Sequence, residues 1–481
     1  MFLSTLRMMK PQVNGHVIKT KIPLPKQRFE FTPRADAMTI PFAQVIKDRH
    51  KYLSPSLATF TAYADPIAFP TGKFQYLWDQ TGKRYLDLLA QNLTISIGHN
   101  HPRVIDTVKN QQELVTHTTT MYYHESQGRL AKKLVETMPK GHDWVVHFVC
   151  TGSEAVDLAL LAARVHTGNF DVIGIRGAYH GLQNSAMGLV GLHTCRQNTP
   201  TGFGIQLALQ PDTYRGIFKA KQGDKEAERA AGKEYAQDVR NMINYSTPGN
   251  IAAFIAEPLQ GFGGIYMLPD GYLKDAFKYT RDAGGVCIAD EVQTGFGRMG
   301  DHYWGFGCHD VVPDIVTLAK GLGNGHPIAA TIMKREIAES MSNKLYFNTY
   351  GGNPTCCEVG STVMDVIEEE GIQANAKKMS ELFLVGLKEL EAKHELIGEV
   401  RGHGLMLGVD IVKNGETKEP ARRIAVECFE MCRDMGVIFG KSGLEGNVIR
   451  IMAVMCLNED DVKFALDVLD YCIGKMEEKY L

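Results

Sequence analysis

Val286-Cys287-Ile288-Ala289-Asp290-Glu291-Val292-Gln293-Thr294-Gly295-Phe296-Gly297-Arg298 is the stretch on which the fold turns. An apolar run ends in two carboxylates, and a glycine-bearing turn follows. Such a run, closed by turn residues, reads as a buried strand. In open α/β sheets ligands bind at the C-terminal ends of the strands. Successive side chains of a strand point to opposite faces, so Asp290 and Glu291 cannot both face one ligand atom. One can serve a site while the other caps or pairs. A buried Asp beside an aromatic ring nitrogen would hold that nitrogen protonated by charge attraction. The ordinary alternative is a carboxylate pair solvated at a strand end.

Working outward, similar short runs recur at 145–150, 171–176, 251–257, 315–318 and 328–333. Helical stretches at 153–166 and 271–283 lie between them. Strand, helix and strand in series predict an α/β fold, a mostly parallel sheet with helices on both faces. Residues 71–88 alternate apolar and polar residues around Asp79-Gln80-Thr81-Gly82, which predicts a hairpin. Residues 219–240 are dense in charge and read as an exposed helix or insertion. Beyond about residue 370, helical stretches flank strand candidates at 404–411 and 448–452. That change of pattern predicts a smaller α+β domain from 371–481, completed by residues 31–85, around a large domain at 86–370.

Four further features could carry chemistry. In Ile315-Val316-Thr317-Leu318-Ala319-Lys320-Gly321, a single Lys follows an apolar strand and precedes a glycine-rich loop. A surface position is the commonest fate of a Lys. At a buried strand end, however, it can lose its proton and form a Schiff base. In Cys150-Thr151-Gly152-Ser153-Glu154-Ala155 the chain passes from strand to helix, with Gly152 for the turn and Ser153 as a cap. Free N–H groups there suit a phosphate, although the same residues also make a plain turn. Phe347-Asn348-Thr349-Tyr350-Gly351-Gly352-Asn353-Pro354 marks a turn whose Pro354 can open a helix. Glu257 ends an apolar run, and Arg450 sits inside Val448-Ile449-Arg450-Ile451. A buried Arg needs a partner, and Arg binds carboxylates bidentately.

The whole chain is 481 residues, 44% hydrophobic and 22% charged, which excludes disordered and fibrous classes. A net charge of -3 argues against nucleic acid as a partner, and no apolar run is long enough to predict a membrane span. The charge is unevenly placed. Before Glu30 there is no acid, while Arg7, Lys10, Lys19, Lys21, Lys26 and Arg28 give +6, so the rest of the chain carries -9. With Phe2, Leu3 and Leu6, residues 1–30 read as a mitochondrial presequence, although Pro11, Pro23 and Pro25 interrupt any long helix. The alternative is a frayed terminus on a cytoplasmic protein. Ten cysteines without a CxxC pair give neither a disulfide framework nor a metal site, and fit a reducing compartment.

The runs GGVCIADEVQTGFGRMG, HYWGFGCHDVVPDIVTLAKGLGNG, FNTYGGNP, RGAYHG and GHNHP are together distinctive. From about Gly72 to its end the chain resembles the class III aminotransferases that use pyridoxal phosphate, a fold-type I family, and most of all their mitochondrial alanine–glyoxylate branch. The resemblance implies that Lys320 holds the cofactor covalently and moves the substrate proton. It implies that Asp290 pairs with the ring nitrogen, Gln293 bonds the ring hydroxyl and Tyr179 stacks on the ring. Gly152 and Ser153 would hold the phosphate, with Thr349 reaching it from a neighbouring subunit. That implies a homodimer, or a dimer of dimers. Arg450 would bind the carboxylate of an amino acid or oxo acid, and Glu257 would mask Arg450 for a second kind of substrate. Thr151 stands where the family often has Ser, and Ala453-Val454 depart from its usual prolines. The implied reaction passes an amino group from alanine to glyoxylate. Alternatives within the family are an aminotransferase for β-aminoisobutyrate, γ-aminobutyrate or ornithine, or a phospholyase. A non-catalytic pyridoxal-phosphate binder is more remote, since Lys320 and Asp290 are both present.

Overall fold

The computed structural model describes residues 22–34, 36–57, 63–200 and 202–481. Most of the expected presequence, residues 1–21, lies outside them. The Val286–Asp290 strand is the centre of a seven-stranded sheet. The order across it is Trp144–Val149, Ala329–Lys334, Ile315–Leu318, Val286–Asp290, Ala253–Ala256, Val172–Ile175 and Ile205–Ala208. Ala329–Lys334 runs antiparallel to both its neighbours, and the other strands are parallel to one another. The α/β reading therefore holds, and the sheet is mixed.

Side-chain alternation explains why the central strands are apolar throughout. Val286 and Ile288 pack with Ala159, Leu160 and Ala163 of the Gly152–Thr167 helix. Cys287 points the other way, into a cluster with Phe254, Phe277 and Tyr235. Helices thus cover both faces, as parallel strands require. The charge-dense stretch lies mostly in the helix Lys225–Ser246. It is not the exposed element expected, because Tyr235, Ala236, Val239 and Ile243 lie on one face and are buried. Its charges occupy the opposite face, and composition alone hid that spacing.

Residues from both ends of the chain meet beside this sheet. The expected hairpin is present as Tyr76–Trp78 against Arg84–Asp87. Arg84–Asp87 also pairs, in parallel, with Val437–Ile438. A four-stranded antiparallel sheet holds Ile397–His403, Met406–Ile411, Val448–Ile451 and Gly440–Ser442. The short strands Leu259–Gln260, Tyr266–Met267, Val437–Ile438 and Gly440–Ser442 were not anticipated, nor were two others. Ile205–Ala208 is a short edge strand after a long irregular stretch, and Ile397–His403 carries Glu399, Arg401 and His403 within its run.

Candidate active site

Parallel pairing brings the strand ends to one edge. Ala256 is in register with Ala289, and Asp290 with Thr317. Glu257, Asp290 and Lys320 therefore emerge side by side. Asp290 is only 3% exposed, so its charge needs partners. It has three. His180 Nδ1 donates to Oδ2 at 2.7 Å, while Thr317 Oγ1 and the Val292 N–H each donate to Oδ1 at 3.1 Å. Glu291 points the other way, as alternation requires. It accepts from Thr294 Oγ1 and from the Gly305 and Phe306 N–H groups, and so pins the following loop.

His180 is buried, and among the described residues its Nε2 has no hydrogen-bond partner. Burial opposes its charge, but the bond to Asp290 and the attraction of Asp290 and Glu257 outweigh it and raise the imidazole's pKa. No role was read for His180 from the sequence, although it lies in the RGAYHG run. A His beside an aromatic residue gives no local sign that it will meet a strand end 110 residues away.

Lys320 follows the Ile315–Leu318 strand with φ of +36°, a left-handed conformation unusual for a side chain larger than Gly. Burial, then the nearby Arg450 cation, pushes its amine down to about 8, against the pull of Glu257 and Asp290. Burial also pushes Glu257 up to about 7. Glu257 Oε1 accepts from the Tyr179 N–H at 3.0 Å, and Oε2 from the Gly261 N–H at 3.0 Å and Gln293 Nε2 at 3.2 Å. The Tyr179 ring lies 5.5 Å from Phe262. One set of contacts therefore joins Asp290, His180, Glu257, Gln293 and Tyr179, with Lys320 within their electrostatic reach.

The helix start at Gly152 corrects one expectation. Thr151, not Ser153, is the cap: its hydroxyl accepts from the Glu154 N–H, and the Glu154 carboxylate takes the Cys150 and Thr151 N–H groups. The threonine has the extended backbone a cap needs, and Ser153 is already inside the helix. This frees what a phosphate would use. The Gly152 and Ser153 N–H groups, at the first two helical positions, have no partner within the helix. A Cβ on Gly152 would stand 2.9 Å from Val292, and one on Gly181 only 2.4 Å from Ser153 Oγ. Only glycine fits this floor.

Arg450 approaches from the antiparallel sheet, 4% exposed. Burial pushes its guanidinium down to about 10, and Glu257 pulls it back up. Among the described residues it forms no ion pair with Glu257. Its Nη2 donates instead to Asn92 Oδ1 at 3.1 Å, a partner with no local signal in the sequence. Thr349 is not brought into this group. It is exposed in a loop where Asn348 Oδ1 accepts from the Tyr350 and Gly351 N–H groups.

Comparison with known proteins gives the family. The family model for class-III aminotransferases matches residues 62–473. Alanine–glyoxylate aminotransferase 2 homolog 2, mitochondrial, of Arabidopsis thaliana is 41% identical over 93% of this chain and 91% of its own length. Alanine–glyoxylate aminotransferase 2, mitochondrial, of Homo sapiens is 38% identical over 91% of this chain and 87% of its own. The crystal structure of an S-selective transaminase from Arthrobacter sp. superposes with a TM-score of 0.82 at 29% identity, covering 92% of this chain and 100% of that one. The chain belongs to the class-III aminotransferases, a pyridoxal-phosphate-dependent family, and it is an enzyme of that class.

Proposed function

We propose that this aminotransferase passes an amino group from alanine to glyoxylate, yielding pyruvate and glycine in two half-reactions at one site. The observation that carries the reading is the position of Lys320, a buried amine at the strand end next to Asp290, whose burial and the nearby Arg450 lower its pKa against the pull of Glu257 and Asp290. Pyridoxal phosphate, when bound, supplies a carbonyl that takes up the amino group and a ring that accepts an electron pair. The residues present fit it: two N–H groups at a helix start with no partner among the described residues, glycines that clear the floor, a buried acid and a poised amine.

In this reading Lys320 Nζ would hold the cofactor, and would take the proton from the substrate Cα and return it. Asp290 would hold positive charge at the ring nitrogen, and the His180 Nδ1–H keeps that carboxylate aimed. Gln293 would donate to the ring hydroxyl, and Tyr179 would cover the ring. Gly152 and Ser153 would donate to the phosphate, which the helix dipole also favours. Arg450 would hold the carboxylate of each amino acid or oxo acid in turn. Because the amino group is stored between the half-reactions, one carboxylate site serves both substrates. The Arabidopsis and human relatives, named for alanine and glyoxylate, support this pair of substrates.

The same reading makes the enzyme a homodimer, with Thr349 of one copy completing the other's phosphate site. Leu345, Phe347 and Tyr350 are exposed around Thr349 in the single chain, which supports a second copy there. A mitochondrial location is supported by the +6 leader and by the relatives' names.

The test is a panel of amino donors against glyoxylate and pyruvate, each half-reaction followed by the change in cofactor absorbance. Turnover of alanine with glyoxylate above the other donors is expected. Silence with alanine and turnover with ornithine would overturn the substrate pair and leave the class standing.

A further inference from the structure

Arg450 has an unusual surrounding for a buried cation. Among the described residues its guanidinium makes one hydrogen bond, from Nη2 to Asn92 Oδ1, and its Nε has no partner. Glu257, the carboxylate that acts on it electrostatically, is tied down at both oxygens by Tyr179, Gly261 and Gln293. Swinging Glu257 onto Arg450 would break three hydrogen bonds. The expected masking by Glu257 is therefore opposed, and a neutral amide stands beside the cation instead.

The amide is held there by backbone. Ala90, Gln91, Asn92 and Leu93 all have positive φ, from +49° to +70°. Asn is among the few residues other than Gly that tolerate this region. The turn is anchored at its start by the buried Asp87. Its Oδ1 accepts from the Leu89 and Ala90 N–H groups at 3.0 and 2.9 Å. His99 Nε2 holds its Oδ2 at 2.8 Å. The Met452 N–H donates to Leu88 O at 2.8 Å, tying this turn to the strand that carries Arg450.

We propose that Asn92 determines specificity: its amide oxygen orients the Arg450 guanidinium without neutralising it, so that the site selects substrates bearing a carboxylate beside the reacting carbon. The inference rests on Arg450 as the carboxylate site. A carboxylate at position 92 would pair with Arg450 and compete with the substrate for it. A shorter residue would leave the guanidinium unaimed.

Two variants separate charge from shape. Asn92→Asp keeps the size and the left-handed preference, and Asn92→Gly suits the backbone and removes the amide. On the cofactor-loaded enzyme, the readouts are KM and kcat for alanine and the inhibition constant of propionate, a carboxylate that cannot react. Asn92→Asp should raise the alanine KM and the propionate constant about a hundredfold, and Asn92→Gly about tenfold. In both, kcat should fall less than about threefold. Gln91→Gly, one residue earlier in the same turn, should leave all three unchanged. Arg450→Ala is measured alongside. If it raises KM while both Asn92 variants stay within twofold of the parent, the inference fails and the Arg450 reading stands. If Arg450→Ala leaves KM unchanged, that reading itself fails. A fall in kcat without a rise in KM for the Asn92 variants would also overturn the inference.

Discussion

The wall that carries Gly152, His180 and Asp290 and the wall that carries Asn92 and Arg450 face one another but are made from different backbone. The first is assembled at the ends of regular elements. Its helix begins with a reciprocal cap between Thr151 and Glu154, and Asp290 closes a fully buried strand. The second hangs on four consecutive left-handed residues, none of them glycine, joined to a strand 358 residues later in the chain. The difference separates two jobs. Groups that serve every turnover stand where sheet and helix geometry fixes them. On the second wall only Arg450 stands on a strand, and Asn92, which would aim it at the substrate, stands on irregular backbone that can change without disturbing the sheet. Lys320 lies between the two, at a strand end but with positive φ.

Lys320 carries the largest expected effect. Lys320→Ala should reduce turnover by about 10⁴-fold or more, since covalent capture and proton transfer are lost together. Pyridoxal phosphate should then be retained only non-covalently and leave on denaturation without borohydride trapping. The amine also carries a pH signature. It reacts only when neutral, and its pKa is lowered to about 8. Covalent uptake of the cofactor by the cofactor-free protein should therefore rise with pH, with a midpoint near 8. Arg450→Ala removes a cation that disfavours protonation, so the midpoint should move up. A midpoint unmoved by that change would break the electrostatic link between the walls.

His180 tests whether the first wall is as rigid as its hydrogen bonds indicate. His180→Leu removes the Nδ1 donor at 2.7 Å and leaves Asp290 short of one partner in a buried site. A hydrogen bond to a charged group contributes roughly 1.5–3 kcal/mol, so kcat should fall about ten- to a hundredfold. The alanine KM should stay within about threefold, because Arg450 is untouched. His180→Asn, which can still donate, should recover most of the rate. A KM effect in place of the kcat effect would show that the two walls are not separable.

What was legible in the sequence follows the same division. Asp290, Lys320 and Gly152 sit in local strings whose hydrophobic pattern and turn residues announce a strand end or a helix start. Even there Ser153 reads as the cap only while the Thr151-x-x-Glu154 spacing, the pattern of a reciprocal cap, is passed over. Asn92 was not legible at all. Ala-Gln-Asn-Leu holds no glycine to advertise positive φ, and its conformation is imposed by Asp87, His99 and the strand of Arg450. The buried face of Lys225–Ser246 is hidden for a related reason: its charges outnumber the apolar residues spaced along one face.

The smallest effects expected are on stability, and they should differ in sign between the walls. Thr151→Ala removes a cap hydrogen bond and should lower stability by about 1 kcal/mol. Gln91 is exposed with φ of +50°, and its side chain makes only a 3.4 Å bond to Asp87. A left-handed residue other than Gly costs about 1–2 kcal/mol, and glycine's extra freedom in the unfolded chain offsets part of the relief. Gln91→Gly should therefore raise stability, by up to about 1 kcal/mol. Thermal midpoints should move in opposite directions, each by about 1 °C for a chain of this length. A fall in both would mean that the Ala90–Leu93 turn is as well optimised as the helix cap, and that its left-handed backbone carries no strain to release.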